Sequence, residues 1–237
     1  MKGIKAYQPW SDPLLHTSLS DKVIQELIQL TDLIVEDKER ESMNKDLAGE
    51  IEDEWKIDPI LLTNIKFTEY VIQLSWEYFK IVLSNFQTPT NYKIPEPFVV
   101  FKNALEDIEL KIAWFNNQKD NEYNPMHSHT GILSGVLYLK IPEYLPSRKF
   151  EETDGSIEFI GNETATESMI SNSTIDFLPK VGDIFIFPSS LKHMVYPFRT
   201  VDGKGVRRSL SFNLDTKSHP HATFFEIYSK SRGNLCS

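Results

Sequence analysis

The sequence predicts an α+β protein in which a helical N-terminal layer covers a strand-rich sandwich or barrel of jelly-roll type. Three observations carry that expectation. Before Pro95, apolar residues recur at helical spacing, as in Val23, Leu27, Leu30 and Ile34. After Pro97 large apolar residues fall at every second position, as in Ile108, Leu110, Ile112 and Trp114 alternating with Glu109, Lys111 and Ala113. The later apolar runs are short and divided by turn residues, among them Asp154-Gly155, Gly182-Asp183 and Asp202-Gly203.

Taken in order, Ser20 is placed to cap a first helix carrying the Val23 to Ile34 stripe. The charged stretch Glu36–Glu54 reads as loop or weak helix, most simply a solvated face and otherwise a partner surface. Thr63 or Asn64 starts a longer helix whose stripe is Phe67, Val71, Leu74, Tyr78 and Val82, widened by Tyr70, Trp76 and Phe79. Pro89 and the Pro95–Pro97 cluster close this helical part, which spans about residues 1–96. Strands are expected at Ile108–Trp114, Leu133–Ile141, Ser156–Ile160, Thr174–Leu178, Asp183–Phe187 and Arg207–Leu214, giving a core over about 97–215 and a tail over 216–237. With no internal repeat, the chain reads as a single domain.

Composition narrows the function classes. The formal charge is −9 over 237 residues, whereas a nucleic-acid or membrane-surface binder needs a basic face. The lone Cys236 cannot form an internal disulfide, Met1 to Trp10 lacks the apolar core of a secretory leader, and no run is long enough to span a membrane. A cytoplasmic protein is the expectation.

The chemistry gathers around Asn124-Pro125-Met126-His127-Ser128-His129-Thr130-Gly131. On an extended strand, residues two apart share a face, so His127 and His129 would present two neutral imidazoles to one ion. His193 follows the apolar Asp183–Phe187 strand and would reach the same ion across a barrel mouth. In Val206-Arg207-Arg208-Ser209-Leu210-Ser211, Arg207, Ser209 and Ser211 share one face and Arg208 and Leu210 the other. A guanidinium beside a hydroxyl is shaped to grip a carboxylate, with Tyr138 as a further donor or simply a core tyrosine. Asn116, Asn124 and Asn213 are weaker candidates for the pocket lining. Ser218-His219-Pro220-His221 repeats the His-x-His spacing but reads as an exposed tail, and His16 carries no signal.

This ordered set resembles the Fe(II)/2-oxoglutarate-dependent oxygenases, in the bacterial and phage branch distantly similar to prolyl hydroxylases. The carrying pieces are His127-x-His129, Leu133-Ser134-Gly135-Val136-Leu137-Tyr138-Leu139-Lys140, Gly182-Asp183-Ile184-Phe185-Ile186-Phe187-Pro188, His193-x-Val195 and Arg207-x-Ser209. The resemblance spans roughly Trp114 to Asn213. It implies a double-stranded β-helix, cupin-like, holding one Fe(II), with 2-oxoglutarate and dioxygen as co-substrates and oxidative decarboxylation to succinate and CO2. It implies His127 and His193 as ligands, and Arg207, Ser209 and Tyr138 around the distal carboxylate of 2-oxoglutarate.

One departure stands out. The family pattern is His-x-Asp or His-x-Glu, and here His129 occupies the acid's place. His129 itself, a remote carboxylate such as Asp120 or Asp154, or no third protein ligand are the alternatives. Two rival functions follow: a three-histidine cupin-like dioxygenase that uses no 2-oxo acid, and a metal-free jelly-roll module that binds a sugar or peptide. The primary substrate is not readable, because the loops Pro142–Asp154 and Gly161–Thr174 that would select it carry no distinctive chemistry.

Overall fold

The computed structural model describes residues 13–44, 49–85, 107–146, 153–161 and 173–217. The expected helix end at Pro89 and Pro95–Pro97, the tail beyond Lys217 with His219, His221 and Cys236, and most of the two loops named above lie outside them.

Two antiparallel sheets are built from the alternating segments. The strands are β1 (Leu15–Ser18), β2 (Glu54–Ile57), β3 (Ile108–Gln118), β4 (Asn124–His127), β5 (Leu133–Lys140), β6 (Ile157–Ile160), β7 (Thr174–Phe177), β8 (Asp183–Pro188), β9 (Lys192–Val195) and β10 (Arg207–Thr216). The major sheet runs β1-β8-β5-β10-β3-β2 and the minor sheet β4-β9-β6-β7. The crossing order, with β10 seated between β5 and β3, is that of a jelly roll.

Period-two alternation sends the two faces of the major sheet into different cores. On the outer face, Leu137, Leu139, Ile184, Leu210 and Phe212 pack with Leu27 of α1 (Asp21–Glu36), Leu62 of α2 (Pro59–Asn64) and Val71 and Tyr78 of α3 (Phe67–Asn85). On the inner face, Val136, Tyr138, Phe185 and Phe187 meet Ile157 and Phe159 of the minor sheet. The helical layer thus covers one face of the major sheet, and the other closes the β-helix.

Several N-terminal expectations need correction. Two strands, β1 and β2, come from the part read as helical, and they form the two edges of the major sheet. β2 begins at the end of the stretch read as loop. The long helix does not start at Thr63 or Asn64. Asp58 accepts a hydrogen bond from Ile60 N (3.0 Å) and Pro59 opens a separate short helix. Lys66, at φ 61°, then breaks the chain before Phe67 restarts it. Ser20 occupies the cap position of α1, but its side chain makes no capping bond. β4 is the extended segment expected at His127, whereas β9 was not anticipated, because a four-residue strand with two apolar positions leaves no period to read.

Candidate metal centre and its pocket

β4 pairs with β9 so that His127 stands directly opposite His193. β4 ends at His127, so His129 does not share its strand face as expected; it lies just beyond, in the turn. The backbone of that turn is tied down, with His129 N donating to Ser189 O (2.8 Å). Ring centroids are 4.3 Å apart for His127 and His193, 4.9 Å for His127 and His129, and 5.0 Å for His129 and His193. The nearest ring nitrogens of the three all lie within 4.8 Å of one another. Among the described residues this is the group of His, Cys, Asp or Glu side chains that could hold an ion.

Two of the rings are aimed by their own backbone. His127 Nδ1 lies 2.7 Å from Pro125 O, and His193 Nδ1 lies 3.0 Å from Leu191 O. A carbonyl only accepts, so each Nδ1 carries the proton and each Nε2 is left as a lone pair. This fixes tautomer and ring orientation before any ion arrives. Burial keeps the site uncharged. It lowers His129 to about 3, with the neighbouring His193 and His127 adding to the shift. It lowers His193 to about 4, through burial first and His127 second, against the pull of the Leu191 bond. His127 is also lowered by burial, the Pro125 bond opposing. Three neutral imidazoles with converging lone pairs fit a first-row divalent ion such as Fe(II).

Arg207 lies on the same inner face, 1 % exposed. Its Nη1 donates to Gly155 O and its Nη2 to Gln118 Oε1, both neutral acceptors, and Nε has no partner. The guanidinium rests over the rings of Phe198 (5.3 Å) and Tyr138 (5.8 Å). Among the described residues no carboxylate pairs with it, whereas Arg208 is ion-paired with Asp32. Two more buried hydroxyls there lack an acceptor, that of Tyr144, whose oxygen feels the Arg207 guanidinium, and that of Ser156. A desolvated cation ringed by orphaned donors is complementary to a carboxylate. Gly155, at φ 79°, makes this possible, since a Cβ there would lie 2.5 Å from the Tyr144 ring.

The expected residues therefore divide cleanly. His127, His129, His193, Tyr138, Arg207 and Ser209 line one pocket, with Asn116 and Asn124. Ser209 faces Tyr138 across β5 and Asn116 across β3. Asn213 lies elsewhere, its Oδ1 accepting from Ser134 Oγ (2.8 Å). Asp120 accepts from Thr200 N (2.8 Å) and Thr200 Oγ1 (2.7 Å), and Asp154 sits 3.5 Å from Arg199. Tyr144 and Ser156 escaped the sequence reading. Tyr144 lies in the loop set aside as featureless, and only its packing against Phe198 (4.8 Å) brings it to Arg207.

Comparison with known proteins decides the class. Residues 112–213 match the family model described as "Putative 2OG-Fe(II) oxygenase". Over that segment the chain is similar to the 2OG-Fe(II) oxygenases. The chain has the fold of a Pseudomonas putida prolyl-4-hydroxylase, at 14 % identity, with 86 % of this chain and 92 % of that chain covered and a TM-score of 0.51. It is also similar in fold to AviO1 from Streptomyces viridochromogenes Tue57, at 12 % identity, with 90 % and 94 % covered and a TM-score of 0.53. No curated protein matches the chain significantly in sequence. The oxygenase is an oxidoreductase using Fe(II) and 2-oxoglutarate, as the resemblance in its motifs implied. No described helix is long and apolar enough to cross a membrane.

Proposed function

We propose that His127, His129 and His193 together hold the iron, and that Arg207, with Ser209, Tyr138, Tyr144 and Ser156, holds the distal carboxylate of 2-oxoglutarate. The observation that carries this reading is the pairing of a neutral donor cluster with a buried, anion-free guanidinium in one pocket. When bound, Fe(II) with 2-oxoglutarate and dioxygen supplies the oxidising power to hydroxylate a C–H bond, 2-oxoglutarate leaving as succinate and CO2.

The chain's own residues have four tasks. The Pro125 and Leu191 carbonyls hold His127 and His193 with Nε2 forward. His129, in the place where the family carries an acid, adds a third neutral donor, so the protein contributes no negative charge and the 2-oxo acid supplies it all. Arg207 fixes the far end of that acid through its fork of donors, setting where its near end falls. Val136, Phe187, Ile157 and Val195 make the remaining walls apolar and limit water around the reacting centre. The single cysteine supports a reducing, cytoplasmic site of action; the acidic net charge supports a substrate other than nucleic acid.

A three-histidine dioxygenase that needs no 2-oxo acid is favoured by the donor set alone, and Arg207 separates the two readings. Anaerobic titration of the apoprotein with Fe(II) and 2-oxoglutarate is expected to produce the visible metal-to-ligand charge-transfer band. That band should vanish in His193→Ala and require far more 2-oxoglutarate in Arg207→Ala. Iron binding with no band, unaffected by Arg207→Ala, would sink the 2-oxoglutarate reading.

A further inference from the structure

On the β2 side of the pocket, four buried oxygen atoms have no hydrogen-bond partner among the described residues: both carboxylate oxygens of Glu54 and the Oδ1 atoms of Asn116 and Asn124. Glu54 is fully buried and Asn116 is 5 % exposed. Glu54 on β2 stands opposite Asn116 on β3, so the two side chains share the inner face of the sheet. Asn124 comes from β4, across the gap between the sheets. A Cβ placed on Gly49 would lie 2.9 Å from Asn124 Oδ1 and 3.5 Å from Glu54 Oε1, which puts those two acceptors around one small space. Asn116, Asn124 and the neighbouring Ile51 all line the pocket that holds the histidines.

Leaving a buried acceptor unpaired is costly, and a carboxylate costs most. Burial pushes the Glu54 carboxyl up to about 7, the charge of Glu122 adding to the effect. The unsatisfied atoms here are all acceptors, the reverse of the orphaned donors around Arg207. A hydroxyl-rich ligand would call for donors as well as acceptors, and an anion would be repelled. A positively charged nitrogen group satisfies the set, because it brings several N–H donors and a counter-charge for Glu54.

Resting on the oxygenase reading above, we propose that Glu54, Asn116 and Asn124 form the substrate-recognition end of the pocket and receive an ammonium or guanidinium group of the primary substrate. The pocket is then electrically asymmetric: Arg207 selects the anionic co-substrate, and Glu54 selects a cationic substrate and turns 2-oxoglutarate away from the wrong end.

The test uses the full chain with four probes of one carbon skeleton: n-butylammonium, n-butylguanidinium, n-butanol and butyrate. Dissociation constants are measured by NMR titration, with and without Fe(II) and 2-oxoglutarate under anaerobic conditions. One or both cations should bind at least about tenfold more tightly than n-butanol, the scale of a charge-assisted bond, and Glu54→Gln should erase that preference. Equal binding of all four, or a preference that survives Glu54→Gln, overturns the proposal, as does a site that takes Ca2+ in place of the organic cations. If Glu54→Gln does not fold, Asn124→Ala serves instead, with a several-fold loss of cation binding expected and no change counting against the site. The charge-transfer band in the same samples reports on the oxygenase reading by itself. Its absence alongside a Glu54-dependent cation preference would remove that reading and leave the cation site standing.

Discussion

A guanidinium stripped of water needs compensation, and Arg207 receives only part of it from the protein: two neutral acceptors and two ring faces. In the proposed reading the co-substrate's carboxylate supplies the missing part, and the geometry matters as much as the charge. Arg207→Lys keeps the charge and loses the planar fork, so 2-oxoglutarate affinity should fall by about tenfold or more. Titration of the charge-transfer band checks it, and an unchanged midpoint would mean that charge alone suffices. The histidines meet the same desolvation by staying neutral, and this has a pH signature. In the unfolded chain they titrate near 6.5, whereas in the folded apoprotein His193 and His129 resist protonation down to about 4 and about 3. Between those limits the unfolded state binds more protons, so stability is lost as pH falls, by up to roughly 1.4 kcal/mol per pH unit for each histidine. Glu54, raised to about 7, acts with the opposite sign, gaining stability as pH falls through the same range. The clean measurement is therefore the difference in urea-unfolding free energy between the native chain and His129→Gln from pH 7.5 to 4.5. The native chain should lose more, and parallel profiles would refute the account. At this scale the sequence showed what chemistry is present, because histidines and an arginine flanked by apolar strand residues have few structural uses. It did not show Tyr144 and Ser156, whose place depends on how a loop packs on Phe198.

At the scale of elements, β10 works on both faces at once. Arg207 points into the pocket while Arg208, one residue on, points outward to α1, donating to Asn117 Oδ1 (2.7 Å), Thr31 Oγ1 (2.9 Å) and Asp32. Lys140 joins at 2.8 Å from the same Asp32 oxygen. Burial tends to raise the Asp32 carboxyl, and the bonds and charges of Lys140 and Arg208 outweigh it, leaving the group below its ordinary value. Asp32 is 47 % exposed and Arg208 only 7 %, so the two ends of this clip differ in consequence. Asp32→Ala should cost about 1 kcal/mol or less, because solvent screens the pair. Arg208→Ala should cost about 2–3 kcal/mol, because it strips the buried Asn117 Oδ1 of its Arg208 donor and leaves Thr31 only its bonds to the Leu27 and Ile28 carbonyls. Urea unfolding measures both, and equal costs would refute the ranking. The same two variants should leave 2-oxoglutarate affinity unaltered, which separates Arg208 from Arg207 as the anchor. The period-two face assignment made this division readable in the sequence. The helix boundaries were less so, because Asp58-Pro59 and the left-handed Lys66 are local events that an apolar stripe does not record.

Across the whole molecule, the proposed metal centre sits where the strand pairing is thinnest. The major sheet is braced on one side by three helices and on the other by the aromatic inner core. The minor-sheet edge that carries the histidines has much less. β4 holds to β9 through only two register pairs, Asn124 with Val195 and His127 with His193, with an irregularity between them. His129 lies outside any strand, tied by its backbone bond to Ser189. An ion bound by all three rings would cross-link β4, the turn after it and β9, so its free energy should appear as local order there and only secondarily as global stability. At a free metal concentration about a thousand times Kd, the gain is about 4 kcal/mol. Hydrogen exchange of the Fe(II)-loaded protein before and after chelation should therefore show a large loss of protection over residues 124–131 and 192–195. β3, β5 and β10 should change little. Uniform deprotection of both sheets would mean that the ion stabilises the entire fold, and no change at β4 would mean that the histidines hold no ion.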